Sequence, residues 1–320
     1  MTRLGIALVV NQLLVNVFGT MLSLIKKVLI SSLGQSEGMD ATMLILKCIG
    51  YFLAFTLPIL VFNLMSKNIE REEHSIAEGN KKTSPLDLIC ILIIGLGLID
   101  AFSLINYYAV KSILPHYSEY TRENFWAVEL EKPYQVIIYV IYVAIIPAIV
   151  EELLFRKTVC DTVSPYGKGT AVLFSAIFFS LMHSNIEQLL YTFVAGIFLA
   201  LLYVQSGNIL LSILLHFLNN GRSVLLTVVR EKFDGAVYSK VSFVLDMTVM
   251  LFTAAALVYF LLKVLKSVTI NKDSEEASEV QEIIPLTKKE KALGFLTFGM
   301  IIFVAYCLLT VGIYIYKSLV

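Results

Sequence analysis

Long apolar runs separated by shorter polar stretches dominate the chain. By inspection they form nine segments, each near the roughly 20 residues that an α-helix needs to cross a bilayer. The segments lie at about residues 4–25, 42–65, 87–112, 135–160, 169–188, 187–206, 207–229, 242–265 and 294–316. None shows the alternation of apolar and polar positions that is typical of a membrane β-barrel. The pattern predicts an all-α, polytopic transmembrane helix bundle of about eight or nine spans.

The polar stretches suggest how the chain is organised. The longest, at 267–293, contains NKDSEEASEVQE, a composition typical of a solvated linker. The apolar segments between 169 and 229 are joined by almost no loop, which predicts antiparallel neighbours in close contact. We predict N-terminal spans and polar loops over 1–134, a core over 135–230, and C-terminal spans over 231–320 that include the linker.

The amino-acid composition supports the prediction of a membrane protein. Hydrophobic residues make up 58% and charged residues 16% of the chain, against roughly 45–50% and about 25% in soluble domains. The net charge of +0 gives no indication of nucleic-acid binding. The first apolar run has no Ala-x-Ala-like cleavage site, so we expect a retained first span. The four cysteines lie singly in apolar segments and are predicted to be buried thiols.

Lysine and arginine residues are distributed unequally between alternate loops. One set of loops carries about 14 of them and the other about 9. Because basic residues favour the cytoplasmic side, the N-terminus is predicted to be cytoplasmic. With nine spans the C-terminus would lie outside. We expect a multi-pass protein of the cell membrane.

Five polar residues interrupt the apolar runs of the predicted core. They are Glu151, Glu152, His183, His216 and Asn220. An ionisable group inside a span costs about 2.5–3.5 kcal/mol on insertion scales, so such groups usually face a bundle interior or a cavity. At about 1.5 Å per residue, these five lie about 14–20 Å from the ends of three different segments. Similar depth predicts one shared site.

The spacing of these residues agrees with a shared site. His216 and Asn220 are four residues apart, so both project from one helix face. Glu152 and Arg156 have the same spacing, which predicts an ion pair. Glu151 points about 100° away from Glu152 on a helix and is left free. A carboxylate beside a histidine in a low-dielectric cavity suits a general base that acts on water.

Three motifs carry a resemblance to a known family. They are EELLFR at 151–156, FSLMH at 179–183 and HFLNN at 216–220. In this order, on separate apolar segments, they resemble the Glu-Glu-x-x-x-Arg, Phe-x-x-x-His and His-x-x-x-Asn/Asp motifs of the CPBP family. These are the CAAX proteases and bacteriocin-processing enzymes, also called the Abi family, which includes the Ras-converting endopeptidase. The resemblance covers about residues 135–230.

The resemblance implies an intramembrane endopeptidase with four catalytic residues. By that likeness Glu151 would activate the hydrolytic water and His183 would orient it. His216 and Asn220 would donate hydrogen bonds to the oxyanion of the tetrahedral intermediate. It also implies an all-α fold embedded in the membrane.

The involvement of a metal is left open by the motifs. The family is described as metalloprotease-like, yet the chain lacks His-Glu-x-x-His. If zinc is the cofactor, Glu151, His183 and His216 would be its ligands, with an open position for water. We favour no cofactor, because a metal-free glutamate mechanism gives Asn220 a role that a zinc site does not need.

The resemblance also bears on partners. It gives Glu152 and Arg156 a supporting role behind the site. It implies a bacterial enzyme whose partners are the lipid bilayer and a peptide or membrane-protein substrate, such as a bacteriocin or pheromone precursor. The oligomeric state cannot be read from the sequence.

A non-enzymatic membrane protein is the competing interpretation. It would be a scaffold, a bacteriocin self-immunity protein or a transporter that keeps the fold without the chemistry. Transporters often contain inverted repeats, and no internal repeat is visible in the sequence. Loss of Glu151 would leave a scaffold unaffected, and this distinguishes the two interpretations.

Other features of the sequence have structural interpretations. Gly196 and Ala200 are small residues four apart, which permits close approach of helices. Arg222 and Asp246 are predicted to pair between neighbouring helices. Asp87 is predicted to cap the third span after Pro85.

Overall fold

The structure is a computed structural model that describes residues 1–33, 37–67, 83–117, 130, 132–270 and 297–319. Within these residues the chain forms helices and no strand. The predicted all-α class is therefore confirmed. Most of the predicted polar linker at 267–293 lies outside the described residues, and nothing in the structure tests the predicted domain boundaries.

Nine helices of at least 15 residues run along the described chain. They are α1 (Thr2–Leu33), α2 (Glu37–Ser66), α3 (Pro85–Ile113), α4 (Pro133–Tyr166), α5 (Lys168–Met182), α6 (Ile186–Ser206), α7 (Ile209–Lys232), α8 (Gly235–Ile270) and α9 (Phe298–Leu319). All except α5 are long and apolar enough to cross a membrane, which makes eight candidate spans in the described part of the chain.

The predicted full span over 169–188 is wrong. Helix α5 has 15 residues, or about 22 Å, which is shorter than the roughly 30 Å hydrocarbon core. It ends because the polar residues His183, Ser184 and Asn185 form a turn. Ser184 has a positive φ of 47°, and the side chain of Asn185 caps α6 by accepting a hydrogen bond from the backbone N–H of Glu187.

Helix α6 is the centre of the bundle. It packs against α3, α5 and α7, while α1 and α2 form a second antiparallel pair. Helix α9 covers α1, and α8 packs on α3. In the most apolar window of α6, 50% of the residues are buried, compared with 11% in α8. Helices α5 and α7, which carry two of the three motifs, thus pack on the most buried of the eight candidate spans.

Small residues allow α5 and α6 to approach closely. A Cβ atom on Gly196 would lie 2.7 Å from the Cα of Ala176, so no larger residue fits there without a shift of the backbone. Ala200, one turn later, is fully buried. The predicted close approach at Gly196 and Ala200 is confirmed.

The remaining intramembrane charges form interhelical pairs. Arg222 of α7 contacts Asp246 of α8, as predicted, and also binds Asp100 of α3 at 2.9 Å. The prediction for Asp87 is wrong, because Ser84 is the cap of α3. The Asp87 carboxylate instead accepts hydrogen bonds from two residues of α8, Tyr259 and Lys263. All four cysteines are buried free thiols, as predicted.

A proline in α2 leaves a backbone carbonyl in need of a partner. Pro58 has no N–H, so the carbonyl of Ala54, four residues earlier, cannot receive its helical hydrogen bond. The side-chain amide of Asn11 in α1 donates to this carbonyl at 2.9 Å. Asn11 is fully buried. This bond joins α1 to α2 beside the proline.

We predict that Asn11→Ala lowers the free energy of unfolding by about 1–3 kcal/mol, because it leaves the buried Ala54 carbonyl unsatisfied. In a Pro58→Ala background the same change should cost less, since the substituted residue supplies the missing N–H. Unfolding of the purified protein in detergent would measure both effects. Equal losses in the two backgrounds would show that Asn11 does not act through this carbonyl.

Candidate active site

Glu152 is a completely buried carboxylate, and it is fully paired. Arg156, one turn later in α4, donates to it from Nε at 2.7 Å and from a terminal nitrogen at 3.3 Å. His216 of α7 donates from Nδ1 at 2.9 Å. Arg156 also contacts Ser175 of α5, whose hydroxyl donates to the Phe155 carbonyl. The predicted ion pair is thus present, and it joins three helices.

Local winding of α4 places these groups. Residues Leu153–Cys160 wind as a π-helix, as do residues Ile141–Ile145. Such π segments alter the direction of side chains and recur at functional sites. Pro147 and Glu151 lie in the short α-helical stretch between them.

Glu151 lies next to Glu152 in the sequence but has a different environment. It is 2% exposed, and within the described residues its Oε2 atom is buried without a hydrogen-bond partner. This atom lies 3.9 Å from Nε2 of His216. Because Nδ1 of His216 is bound to Glu152, the ring presents Nε2 to Glu151. A carboxylate oxygen and an imidazole nitrogen therefore face each other across a short gap.

Tyr51 of α2 holds the second carboxylate oxygen of Glu151. Its hydroxyl donates a hydrogen bond to Oε1. The ring of Tyr51 stacks on Phe55, with centroids 4.8 Å apart, and meets Tyr142 of α4 edge-on at 6.0 Å. Tyr51 thus fixes one oxygen of Glu151 and leaves the other directed at His216.

His183 lies at the C-terminal end of α5. Its Nδ1 donates to the Phe179 carbonyl at 2.8 Å, so Nε2 is the ring nitrogen able to accept a hydrogen bond. The ring of Phe179 lies 4.9 Å from the ring of His183 and 5.8 Å from that of His216. The Arg156 guanidinium stacks on the same ring at 5.2 Å. Phe179 thus packs against both imidazoles.

Gln12 of α1 supports the turn that contains His183. Its amide donates to the carbonyl of Met182, and its carbonyl oxygen accepts from the Ser184 hydroxyl at 3.5 Å. These two residues flank His183 on either side. The side chain of Gln12 is 2% exposed. A residue of the first helix therefore holds the turn in place.

Asn220 is placed one turn after His216, as the spacing predicts, but its amide is engaged elsewhere. Nδ2 donates to the Val143 carbonyl in α4 at 3.0 Å. Oδ1 accepts from the neighbouring Asn219 amide at 3.0 Å. The structure thus brings Glu151, His216 and their supporting pair together and directs Asn220 to the backbone of α4.

The residues do not form a clear metal site. Among the residues that the structure describes, no three His, Cys, Asp or Glu side chains are grouped as a metal ion requires. Nδ1 of each histidine is occupied, by Glu152 in one case and by Phe179 in the other. Nε2 of His183 is also able to accept, but it is not grouped with Oε2 of Glu151 and Nε2 of His216 as the three protein ligands of a catalytic zinc site would be in the described residues.

Sequence reasoning missed Tyr51 and Gln12. Tyrosine is common in membrane spans, so nothing in the sequence distinguishes Tyr51 from its neighbours. Gln12 had a usable signal, because Asn11 and Gln12 form a polar pair in the middle of the first apolar run. Both residues lie outside the part of the chain with the three motifs.

The fold and the site define a polytopic membrane protein with a buried glutamate–histidine centre. Comparison with known proteins agrees with this class. Residues 133–222 match the family model described as type II CAAX prenyl endopeptidase Rce1-like. The chain is also 24% identical over 178 residues to the membrane-embedded CAAX protease MroQ of Staphylococcus aureus (strain USA300), covering 53% of this chain and 68% of that protein. No solved structure matches the chain.

Residues 133–222 of the chain are thus similar to the CAAX protease family that the three motifs indicate. The resemblance read from the three motifs is confirmed. The matched segment contains all six candidate site residues, namely Glu151, Glu152, Arg156, His183, His216 and Asn220. Neither Tyr51 nor Gln12 lies within it.

With Glu151 as the general base that the family motifs imply, we predict that Tyr51→Phe lowers the rate of peptide cleavage at saturating substrate (kcat) about tenfold, because Glu151 loses the bond that orients it. KM should stay unchanged, since the ring and its stacking on Phe55 are kept. The control is Tyr142→Phe, which removes a neighbouring hydroxyl that is not bonded to Glu151. If both variants reduce kcat equally, Tyr51 has no special relation to Glu151.

Proposed function

We propose that the protein is an intramembrane endopeptidase that hydrolyses a peptide bond with a water molecule activated by Glu151. The observation that carries the proposal is the buried, unpartnered Oε2 atom of Glu151, 3.9 Å from Nε2 of His216. A buried carboxylate oxygen without a hydrogen-bond partner destabilises the folded protein. Ionisable groups kept inside a membrane span usually have a functional role. A water molecule beside Oε2 could donate one proton to it.

Cleavage would begin with the removal of a proton from water. Glu151 accepts the proton on Oε2 while the water oxygen attacks the carbonyl carbon of the scissile bond. The π electrons of the carbonyl move to its oxygen and form an oxyanion. Nε2 of His183 accepts the second water proton as a hydrogen bond and so orients the attack. Glu151 then passes its proton to the amide nitrogen as the C–N bond breaks.

Charge balance assigns a role to His216. Glu151 and Glu152 carry two negative charges in a buried site, and Arg156 supplies one positive charge. A protonated His216 would restore neutrality, and its Nδ1–H already binds the Glu152 carboxylate. Its Nε2–H would then be available as a donor to the oxyanion, in a site shielded from bulk solvent.

The enclosure of the site suggests the class of substrate. Glu151, Glu152, Arg156 and His216 are all at least nine-tenths buried, so a substrate must reach them from within the bundle of helices. An extended segment of a membrane protein or a hydrophobic peptide precursor, such as that of a bacteriocin or pheromone, would suit such a site. The S. aureus relative is described as a CAAX protease, and we propose proteolysis for this chain on the same grounds.

We predict that Glu151→Gln abolishes cleavage while preserving the fold, because glutamine keeps the shape of the side chain and removes the base. Comparative proteomics of membrane and secreted peptides would measure this in cells that express matched amounts of each protein. Glu231→Gln, about three turns after the last motif at the partly exposed end of α7, is the control. A cleavage product present with wild type and the control and absent with Glu151→Gln would identify the substrate.

The opposite result would favour the scaffold. If no peptide differs between the strains and Glu151→Gln rescues the phenotype of a deletion, the protein acts without catalysis. The motif residues would then only stabilise the bundle.

We further predict that activity does not depend on a bound metal. A catalytic zinc ion prefers three protein ligands, and no three His, Cys, Asp or Glu side chains are grouped in this way among the described residues. Elemental analysis of purified active protein should find well under one metal ion per chain, and chelators should leave cleavage unchanged. Stoichiometric zinc whose removal and return track activity would contradict the metal-free mechanism.

A further inference from the structure

A second proline leaves a carbonyl without its helical partner, this time beside the catalytic base. Pro147 has no N–H, so it cannot donate an α-helical hydrogen bond to the Val143 carbonyl, which lies four residues earlier in α4. The π-helical winding of Ile141–Ile145 ends at the same place. The amide of Asn220 in α7 donates to this carbonyl at 3.0 Å. Asn220 therefore donates to a backbone carbonyl that the proline cannot serve.

The same arrangement occurs once more in the described chain. Pro58 frees the carbonyl of Ala54 in α2, and Asn11 of α1 donates to it at 2.9 Å. Both asparagines use Nδ2, and both reach across from a neighbouring helix. Recurrence of proline, freed carbonyl and asparagine amide in two unrelated helix pairs indicates a shared structural role.

We propose that Asn220 is a positioning residue that sets the distance between Glu151 and His216 by holding the Val143 carbonyl. This inference rests on the proposed function. It assigns Asn220 a role different from direct donation to the oxyanion, the role implied by the family resemblance. Asn220 acts on the reaction through α4.

The placement of the bond explains how it would act. Glu151 follows Pro147 by one turn of α4, and Asn220 follows His216 by one turn of α7. The Asn220–Val143 bond therefore joins α7 to α4 one turn from the two atoms that face each other at 3.9 Å, and it acts together with the bond from His216 to Glu152. Loss of the bond would allow α4 to unwind or shift at its proline. Displacements of about 1 Å in a catalytic group can reduce rates about a hundredfold.

The orientation of the amide agrees with this role. Asn219 donates to Oδ1 of Asn220 at 3.0 Å, which directs Nδ2 toward α4. One of the two N–H bonds of Nδ2 is thus committed to Val143. The oxyanion can be served by His216, whose Nε2 already faces Glu151.

Restoring the missing N–H provides a test that separates the two roles. Pro147→Ala supplies a backbone donor for Val143, so it should compensate for loss of the Asn220 amide. The new backbone N–H would not replace a hydrogen bond from Asn220 to an oxyanion. The four proteins to compare are the wild type, Asn220→Ala, Pro147→Ala and the double variant. Pro58→Ala combined with Asn220→Ala is the matched control, since Pro58 belongs to the other asparagine.

Cleavage of a peptide whose processing depends on Glu151 is the first measurement. We expect Asn220→Ala to lower kcat at least tenfold in the wild-type background and less than threefold in the Pro147→Ala background, with KM unchanged. The Pro58→Ala control should give no rescue. An equal loss in both proline backgrounds would show that Asn220 acts directly on the substrate and would overturn the proposal.

The unfolding midpoint in detergent is the second measurement, and it needs no substrate. Asn220→Ala should lower the midpoint, and Pro147→Ala should reduce that loss. Strictly additive effects would overturn the proposal even if cleavage were never detected. If the midpoints are coupled and no cleavage depends on Glu151, the proposed function fails while the bond from Asn220 to Val143 is upheld.

Discussion

The buried charge of Glu152 is the constraint on which the rest of the site depends. A carboxylate removed from water is stable only if it is paired and hydrogen-bonded. Here the partners are Arg156 from the same helix and His216 from α7. Arg156 is itself fully buried and needs Ser175 and the ring of Phe179 from α5. Satisfying one charge thus fixes the relative positions of α4, α5 and α7, and with them the orientation of the His216 ring.

Adjacent glutamates therefore serve opposite purposes. Glu152 accepts three hydrogen bonds, and removal of any donor would leave a buried charge less well compensated. Glu151 has one oxygen bound to Tyr51 and the other directed at His216 without a partner in the described chain. The difference arises from helical geometry, because neighbouring residues point about 100° apart. One carboxylate organises the site, and the other is available for chemistry.

The sequence was sufficient for those parts of the structure that depend on local pattern. Hydrophobic run length predicted the helices, and the spacing of four residues predicted the pair of Glu152 with Arg156. The end of α5 was not predictable from hydropathy, because the polar turn at His183 is only three residues long and apolar residues continue on both sides. The polar pair Asn11 and Gln12 is visible in the sequence, but the partners of distant residues, such as Met182 for Gln12 and Glu151 for Tyr51, cannot be identified from a single sequence.

Helices α1 and α2 contribute hydrogen bonds to the candidate site although they lie outside the segment that matches the family model. The family match covers 133–222, yet within the described chain two of the bonds that orient Glu151 and the His183 turn come from residues before 60. Hydrogen bonds between spans are individually weak, often about 0.6 kcal/mol. Under the proposed function their value is geometric, since a general base must be held within a fraction of an ångström of its productive position. The segment 133–222 supplies the candidate reactive groups, but helices α1 and α2 supply hydrogen bonds that orient them. The rate of the proposed cleavage would therefore depend on these flanking helices. Those helices can therefore be altered to change activity without altering any motif.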